Sequence, residues 1–203
     1  YAVDPDNKHR WRMNQRRLDA EEIRDAMLSV AGVINYYPVD GSPVARAGEG
    51  REGMINLLRE VNSKPQLYRS VYLPIIRDQI PEFLSIFDFP DASLVNGDRD
   101  ATNVPSQSLF LMNNVQAQGL ADAFAQRIGK LDGTPEEKLS QAYRLAFGRE
   151  PTQKERDALF AFWTRFPQEA AKNKAIPKES VKGLTLATFC QALFASAEFR
   201  YLN

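Results

Sequence analysis

The chain has 203 residues, of which 43% are hydrophobic, and its 26 basic and 26 acidic residues give no net charge. This length can bury a sizeable core, while the neutral charge balance gives no electrostatic case for binding nucleic acid or an anionic membrane. No apolar run approaches the ~20 residues that span a bilayer, and the single cysteine, Cys190, excludes an internal disulfide.

The first half of the chain contains one strong helix signal. Asp19 and Glu22 have the D-x-x-E spacing of a capping box. Apolar residues then recur on one helical face until Gly32, which can serve as a C-cap glycine. Residues 35–53 include four glycines and two prolines and predict a surface loop, whereas residues 54–61 fit either a weak helix or a strand.

An apolar and turn-rich stretch, residues 68–114, occupies the centre of the chain. Apolar residues alternate around Val71 and predict a short edge strand, which Pro74 limits because it has no N–H to donate. Pro81 predicts the first turn of a short aromatic helix, and Pro105 predicts the start of another. The apolar side of this second helix is predicted to contain Leu109, Phe110 and Met112.

Helix signals dominate the second half of the chain. Polar caps followed by apolar stripes predict three helices, the last two of which form a helical hairpin, and an apolar stripe predicts a fourth. The second helix of the hairpin carries the apolar residues Leu159, Phe160, Phe162 and Trp163 before Pro167, and a polar connection, residues 168–178, follows it. The four helices are predicted to begin at Asn114, Thr134, Thr152 and Leu184 and to end near Gly129, Gly148, Pro167 and Ala197.

These elements predict a mainly α fold. We expect an irregular helical domain with helical hairpins and at most a small two-stranded β element near Val71. The whole chain, residues 1–203, is expected to form a single helical domain, with possible lobes at residues 1–113 and 114–203.

Four ordered motifs carry a resemblance to a known bacterial family. They are RMNQRRLDAEEIRDAMLSVAG (residues 12–32), RSVYLP (69–74), FDFPD (87–91) and GDRDATNVPSQSLFLMN (97–113). Over about residues 4–202 the chain resembles the C-terminal domain of unknown function numbered fifteen fifty-three, which occurs in planctomycete-type cytochrome-associated proteins.

This resemblance implies a setting for the chain. Proteins of the family are usually exported, so we expect an extracytoplasmic location, either periplasmic or secreted. The chain lacks the upstream segment with which the family's domain usually starts, and we therefore expect a fragment of a longer multidomain polypeptide. Covalent c-type haem needs Cys-x-x-Cys-His, which this chain does not contain. Haem is therefore expected only in an upstream domain, and no cofactor is expected here.

The polar loop at residues 96–103 is the best candidate site in the sequence. Its carboxylates could act in glycoside cleavage, and Asp98 and Asp100, helped by Asp88 and Asp91, raise a weak possibility of calcium binding. The alternative is structural: the loop's polar residues cap the helix at Pro105. In that interpretation Arg99 pairs with Asp88 or Asp100. The candidate residues are Asp98, Arg99, Asp100, Thr102, Asn103 and Gln107.

Two classes of function remain open. The first is a non-catalytic helical docking module whose partners are upstream domains of the same polypeptide or another chain. It predicts exposed apolar surface near Trp11 and Val71. The second is a glycan-binding or glycan-degrading protein in which aromatic residues beside the acidic loop form a sugar platform. Those aromatic residues are Tyr68, Tyr72, Phe83, Phe87 and Phe89.

Overall fold

The computed structural model describes residues 3–47, 50–76 and 79–202, and it is mainly α. Nine α-helices and two very short strands occur in these ranges, together with three-residue 3-10 segments at Ser70–Tyr72, Lys178–Ser180 and Glu198–Arg200. The elements are β1 (Arg16–Arg17), α1 (Ala20–Ala31), α2 (Pro43–Arg46), α3 (Arg51–Ser63), α4 (Glu82–Ile86), α5 (Pro105–Asn113), α6 (Val115–Gly129), α7 (Pro135–Phe147), α8 (Gln153–Lys172), α9 (Val181–Ala195) and β2 (Tyr201–Leu202).

Polar caps start four of these helices where the sequence predicts them. Asp19, Thr134 and Thr152 each form a capping box with the glutamate three residues further on. The side chain of Asn114 accepts hydrogen bonds from the first N–H groups of α6. These contacts satisfy backbone donors that a helix start leaves without intrahelical partners. At the other end of α1, Gly32 adopts φ of +74°, a conformation that glycine reaches without steric cost.

Helices α6 and α9 form the centre of the hydrophobic core. Phe124 of α6 stacks on Phe194 of α9 with ring centroids 5.5 Å apart. Helix α1 packs against α6 and contributes the fully buried Met27, while α5 packs against both central helices and contributes Leu111. Helices on both sides of the boundary between residues 113 and 114 therefore share one cluster of buried side chains.

The two strands join the ends of the described chain. They pair antiparallel, with Arg16 opposite Leu202 and Arg17 opposite Tyr201. The backbone N–H of Leu18 then donates to the carbonyl of Arg200 at 2.8 Å. The small β element of this fold is therefore formed by the two ends of the chain and not by the segment near Val71.

The segment around Val71 is a 3-10 turn, so the strand prediction for it is wrong. Two side chains of α1 bind its backbone. The buried Arg24 donates to the carbonyl of Tyr68 at 3.0 Å, and Asp25 accepts from the N–H of Ser70 at 2.7 Å. Because these side chains take the backbone groups that a neighbouring strand would otherwise use, the segment docks on α1 instead of extending a sheet.

Other boundaries also differ from the sequence prediction. The predicted loop at residues 35–53 contains α2 and the start of α3, and residues 54–61 are helical; Gly48 and Glu49 of that loop lie outside the described residues. Helix α8 continues through Pro167. Pro167 has no N–H to donate within the helix; Ala170, in the last turn, is buried against the protein, and packing of this kind stabilises a helix. None of the helices in the described ranges is long and apolar enough to cross a membrane.

Candidate functional site

The predicted site loop lies between α4 and α5 on the outside of the molecule. Residues 91–106 are exposed throughout. Asp98 accepts a hydrogen bond from the N–H of Arg99 at 2.9 Å, whereas the side chains of Asp100 and Asn103 have no hydrogen-bond partner among the described residues. The residue before α5 is Val104, and no side chain caps this helix. The prediction that Asp100, Thr102 and Asn103 cap α5 is therefore wrong.

Arg99 connects the loop to the start of α1 through ion pairs. Its Nη1 atom lies 2.8 Å from Oε2 of Glu21 and 3.6 Å from Oδ2 of Asp19, and its guanidinium lies 5.6 Å from the ring centroid of Phe89. The hydrogen bond from Arg99 to Glu21 raises the pKa of the arginine. Arg99 thus pairs with Glu21 across the fold and not, as predicted, with Asp88 or Asp100. This ion pair contributes little to the stability of the protein because it is partly exposed.

A second part of the predicted site turns inward, towards Asp88 at the end of α4. The hydroxyl of Thr102 donates to Oδ1 of Asp88 at 2.8 Å, and the N–H of Thr102 donates to Oδ2 at 2.9 Å. Arg17 of β1 donates to the same carboxylate. Asp88 adopts φ of +64°, in the left-handed region that aspartate tolerates better than most residues. This carboxylate therefore joins the loop, α4 and β1.

Gln107 extends this polar cluster to the C-terminal end of the chain. Its side chain is fully buried. It donates to the carbonyl of Ile86 and to the hydroxyl of Thr102, both at 3.2 Å, and its Oε1 atom accepts from Arg200 at 3.2 Å. The buried face of α5 is therefore Gln107 with Leu111, whereas Leu109 and Met112, which the sequence assigns to that face, are about half exposed.

The cluster is positively charged inside. Arg17 and Arg200 are both buried, and their Nε atoms have no hydrogen-bond partner within the described chain. Burial lowers the pKa of Arg200, and the neighbouring charge of Arg17 lowers it further. Burial acts to raise the pKa of Asp88, but the hydrogen bonds from Arg17 and Thr102 outweigh it and lower that pKa. A carboxylate stabilised in this way is a poor base at neutral pH.

The aromatic residues next to the loop do not form an open platform. Phe83 and Phe87 are buried, and each makes an edge-to-face contact with Phe110 of α5. Tyr68, Tyr72 and Phe89 are partly exposed. A sugar platform that needs all five residues on one surface is therefore not present, because two of them belong to the core.

Two other side chains with reactive groups are His9 and Cys190. His9, the only histidine, is exposed in the N-terminal segment. Burial raises the pKa of Cys190 to about 12, which keeps the thiol protonated. Within the three described ranges, no group of three or more His, Cys, Asp and Glu side chains could hold a metal ion. Asp98 and Asp100 of the loop are therefore not part of such a group.

An apolar groove between α7 and α8 is the surface feature that the sequence analysis missed. It has a volume of about 840 Å³, and Phe160 on its wall is 76% exposed. Phe160, which the sequence places in the apolar run of this helix, is therefore a surface residue. The signal was present in the sequence, because Phe160 shares its helical face with the polar residues Gln153, Asp157 and Thr164.

Comparison with known proteins identifies one family. A family model described as PSD1, protein of unknown function (DUF1553), matches residues 1–163. No curated protein and no solved structure matches the chain.

Proposed function

The chain belongs to the PSD1 family of proteins of unknown function (DUF1553), and we propose that it is a non-catalytic helical docking module. In this proposal it is part of an exported, cytochrome c-associated multidomain protein that works outside the cytoplasm. Its partners are upstream domains of the same polypeptide or another chain. Haem, where the parent protein has it, belongs to an upstream domain, so the purified chain has no Soret absorbance.

The observation that carries the proposal is the apolar groove between α7 and α8. Large apolar side chains on the surface mark interaction sites when they line a concave surface. Phe160 is such a residue, and Trp163 lies beside it in the same groove. Trp11 and Val71, where the sequence predicts exposed apolar surface, are 52% and 67% exposed. These residues support a protein that binds through apolar contacts.

The arrangement of the polar loop agrees with this proposal. Thr102 and Gln107 hold the fold together through Asp88 and Arg200, and Arg99 binds the start of α1. Catalysis by acid and base needs a group with a pKa near the working pH. The carboxylate at the centre of this cluster has a lowered pKa instead. These contacts give Arg99, Thr102 and Gln107 structural roles, which favours docking over the alternative of a glycan-binding or glycan-degrading protein.

Photo-crosslinking in the intact parent polypeptide tests the proposal. A photoreactive amino acid is placed at Phe160 in one variant and at Asp98, on the exposed polar loop, in a matched control. We expect cross-links from position 160 to another domain or another protein, identified by mass spectrometry, and few from position 98. Equal cross-linking at the two positions would contradict docking through the groove. Retention of a glycan that depends on Asp98 and Asp100 would favour the alternative.

A further inference from the structure

The groove between α7 and α8 has an anchored apolar floor. Trp163 packs edge-to-face on Phe189 of the central helix α9, with ring centroids 5.5 Å apart. Leu139 of α7 and Leu159 of α8 line the groove and pack against the core. The core already holds these side chains in place. A partner that binds here therefore loses little free energy to ordering them. Phe160 projects beside them as an exposed aromatic group of the type that dominates binding energy.

The unpaired charge around this floor is negative. Glu136, at the start of α7, and Asp157, in the second turn of α8, line the groove and are exposed. Neither forms an ion pair with any residue in the described chain. Arg156, the cation in the lining, is engaged: it donates to Ser140 at 3.3 Å and lies 3.6 Å from Glu150. A partner that fits this groove therefore needs an apolar stripe flanked by positive charge.

We propose that the α7–α8 groove binds a basic amphipathic helix of a partner polypeptide, with Phe160 and Trp163 contacting its apolar face and Glu136 and Asp157 pairing with its lysines or arginines. This inference rests on the proposed docking function and specifies its surface and its partner. Two helices that flank an apolar floor form the type of groove in which an amphipathic helix lies. Helices present apolar residues at i, i+3, i+4 and i+7 on one face, which matches a floor of this kind with charged edges.

Two synthetic peptides and the full chain test the inference. Each peptide has about four helical turns with Leu at i, i+3, i+4 and i+7 spacing. One carries Lys at the remaining positions, and the matched peptide carries Glu there. Binding is measured by fluorescence anisotropy of labelled peptide. We expect the Lys peptide to bind at least about tenfold more tightly than the Glu peptide, with an affinity that falls as salt rises.

Variants locate the binding. Phe160→Ala should weaken the Lys peptide by about tenfold or more, and the melting temperature should not change because this side chain is already exposed. The double change Glu136→Gln and Asp157→Asn should weaken binding and reduce its salt dependence. Leu94→Ala is the matched control, since Leu94 is exposed between α4 and α5 and does not line the groove, and it should leave binding unchanged.

The possible failures are distinguishable. Binding of the Glu peptide that equals that of the Lys peptide and depends on Phe160 would overturn the basic partner, while leaving docking in place. If Phe160→Ala leaves the binding of both peptides unchanged, the groove is not the docking surface. Cross-links from other exposed positions of the parent polypeptide would then still support the docking function, and their absence would remove it.

Discussion

At the scale of single residues, Asp88 anchors the loop, whereas the sequence analysis expects the loop's own polar residues to cap α5. Its carboxylate accepts from Arg17 and from both donors of Thr102. Arg17 is almost fully buried, with a side chain that is 6% exposed. Removal of the carboxylate leaves this guanidinium without its counter-charge, which is the costly event for a buried ion pair. Asp100, by contrast, points into solvent.

Substitution of the two aspartates should therefore give unequal effects. We expect Asp88→Ala to lower the free energy of unfolding by about 3 kcal/mol, and Asp100→Ala to change it by no more than about 0.5 kcal/mol. Asp88→Asn should be intermediate, since asparagine keeps an acceptor for Thr102 and tolerates a positive φ. Urea denaturation of the three variants measures this. A loss in Asp100→Ala as large as that in Asp88→Ala would contradict the assignment.

The partner of Asp88 explains why the sequence does not identify it. Asp88 and Arg17 lie 71 positions apart, and periodicity or cap spacing carries no information on such a distant contact. Asp100 is a reasonable candidate locally, because polar residues before a helix usually cap it. Here α5 begins after Val104 without a side-chain cap. The loop is held at Thr102 and Arg99 instead, through residues elsewhere in the fold.

At the scale of elements, local signals predict the helices and fail for the segment near Val71. The capping boxes at Asp19, Thr134 and Thr152 involve residues three positions apart, so the sequence contains both partners. The alternation of apolar residues around Val71 is also a local pattern, and it fits a strand. In the structure, however, the backbone of this segment binds side chains of α1. Strand pairing depends on a neighbouring segment, and no local pattern shows which groups will supply the partners.

Arg24 should therefore be essential for the conformation of this segment. Its guanidinium donates to the carbonyls of Gln66 and Tyr68 and to the hydroxyl of Ser70. Arg24→Met should lower the free energy of unfolding by about 3 kcal/mol, because buried acceptors lose their donors. Arg24→Lys should restore little of it, since an ammonium cannot reproduce the planar fork. Guanidinium denaturation compares the variants, and full rescue by lysine would show that charge alone suffices.

The connection between α7 and α8 should give the protein an acid-sensitive contact. Arg149 binds Glu155 of α8 and Glu198 near the end of the chain. The hydrogen bond from Arg149 lowers the pKa of Glu155 to about 2 from the ordinary 4.5. Since the folded-state pKa is depressed, the stabilisation is complete above pH 4.5 and is lost as the pH falls towards 2.

Glu155→Gln isolates this contribution. The amide oxygen can still accept from the N–H of Thr152, so the capping box keeps its geometry, whereas the titrating charge is gone. The melting temperature of the unmodified protein should fall more steeply than that of the variant between pH 4.5 and pH 2. Thermal melts across this range measure the difference. Parallel pH profiles for the two proteins would exclude the ion pair as a source of stability.

At the scale of the whole molecule, contacts between the two halves of the chain hold the core together. Helix α1 packs on α6, and α5 packs on α6 and α9. Arg127 of α6 donates to the carbonyl of Val30 at 2.8 Å and so satisfies an acceptor in the last turn of α1. Gln191 of α9 donates to the carbonyl of Met112 at 2.7 Å and so satisfies an acceptor in the last turn of α5. The strands β1 and β2 then pair the two ends.

These contacts predict how the chain behaves when it is divided between residues 113 and 114. Each piece would expose the apolar face that the other covers, Met27 and Leu111 on one side and Phe124 and Phe194 on the other. Residues 1–113 and 114–203, produced separately, should therefore lack a cooperative thermal transition and fixed aromatic signals in near-ultraviolet circular dichroism. Co-expression should restore both properties, and it controls for the cut itself, including any damage to the cap at Asn114. A piece that melts cooperatively alone would be an independent lobe, and the shared core would then not be needed for its folding.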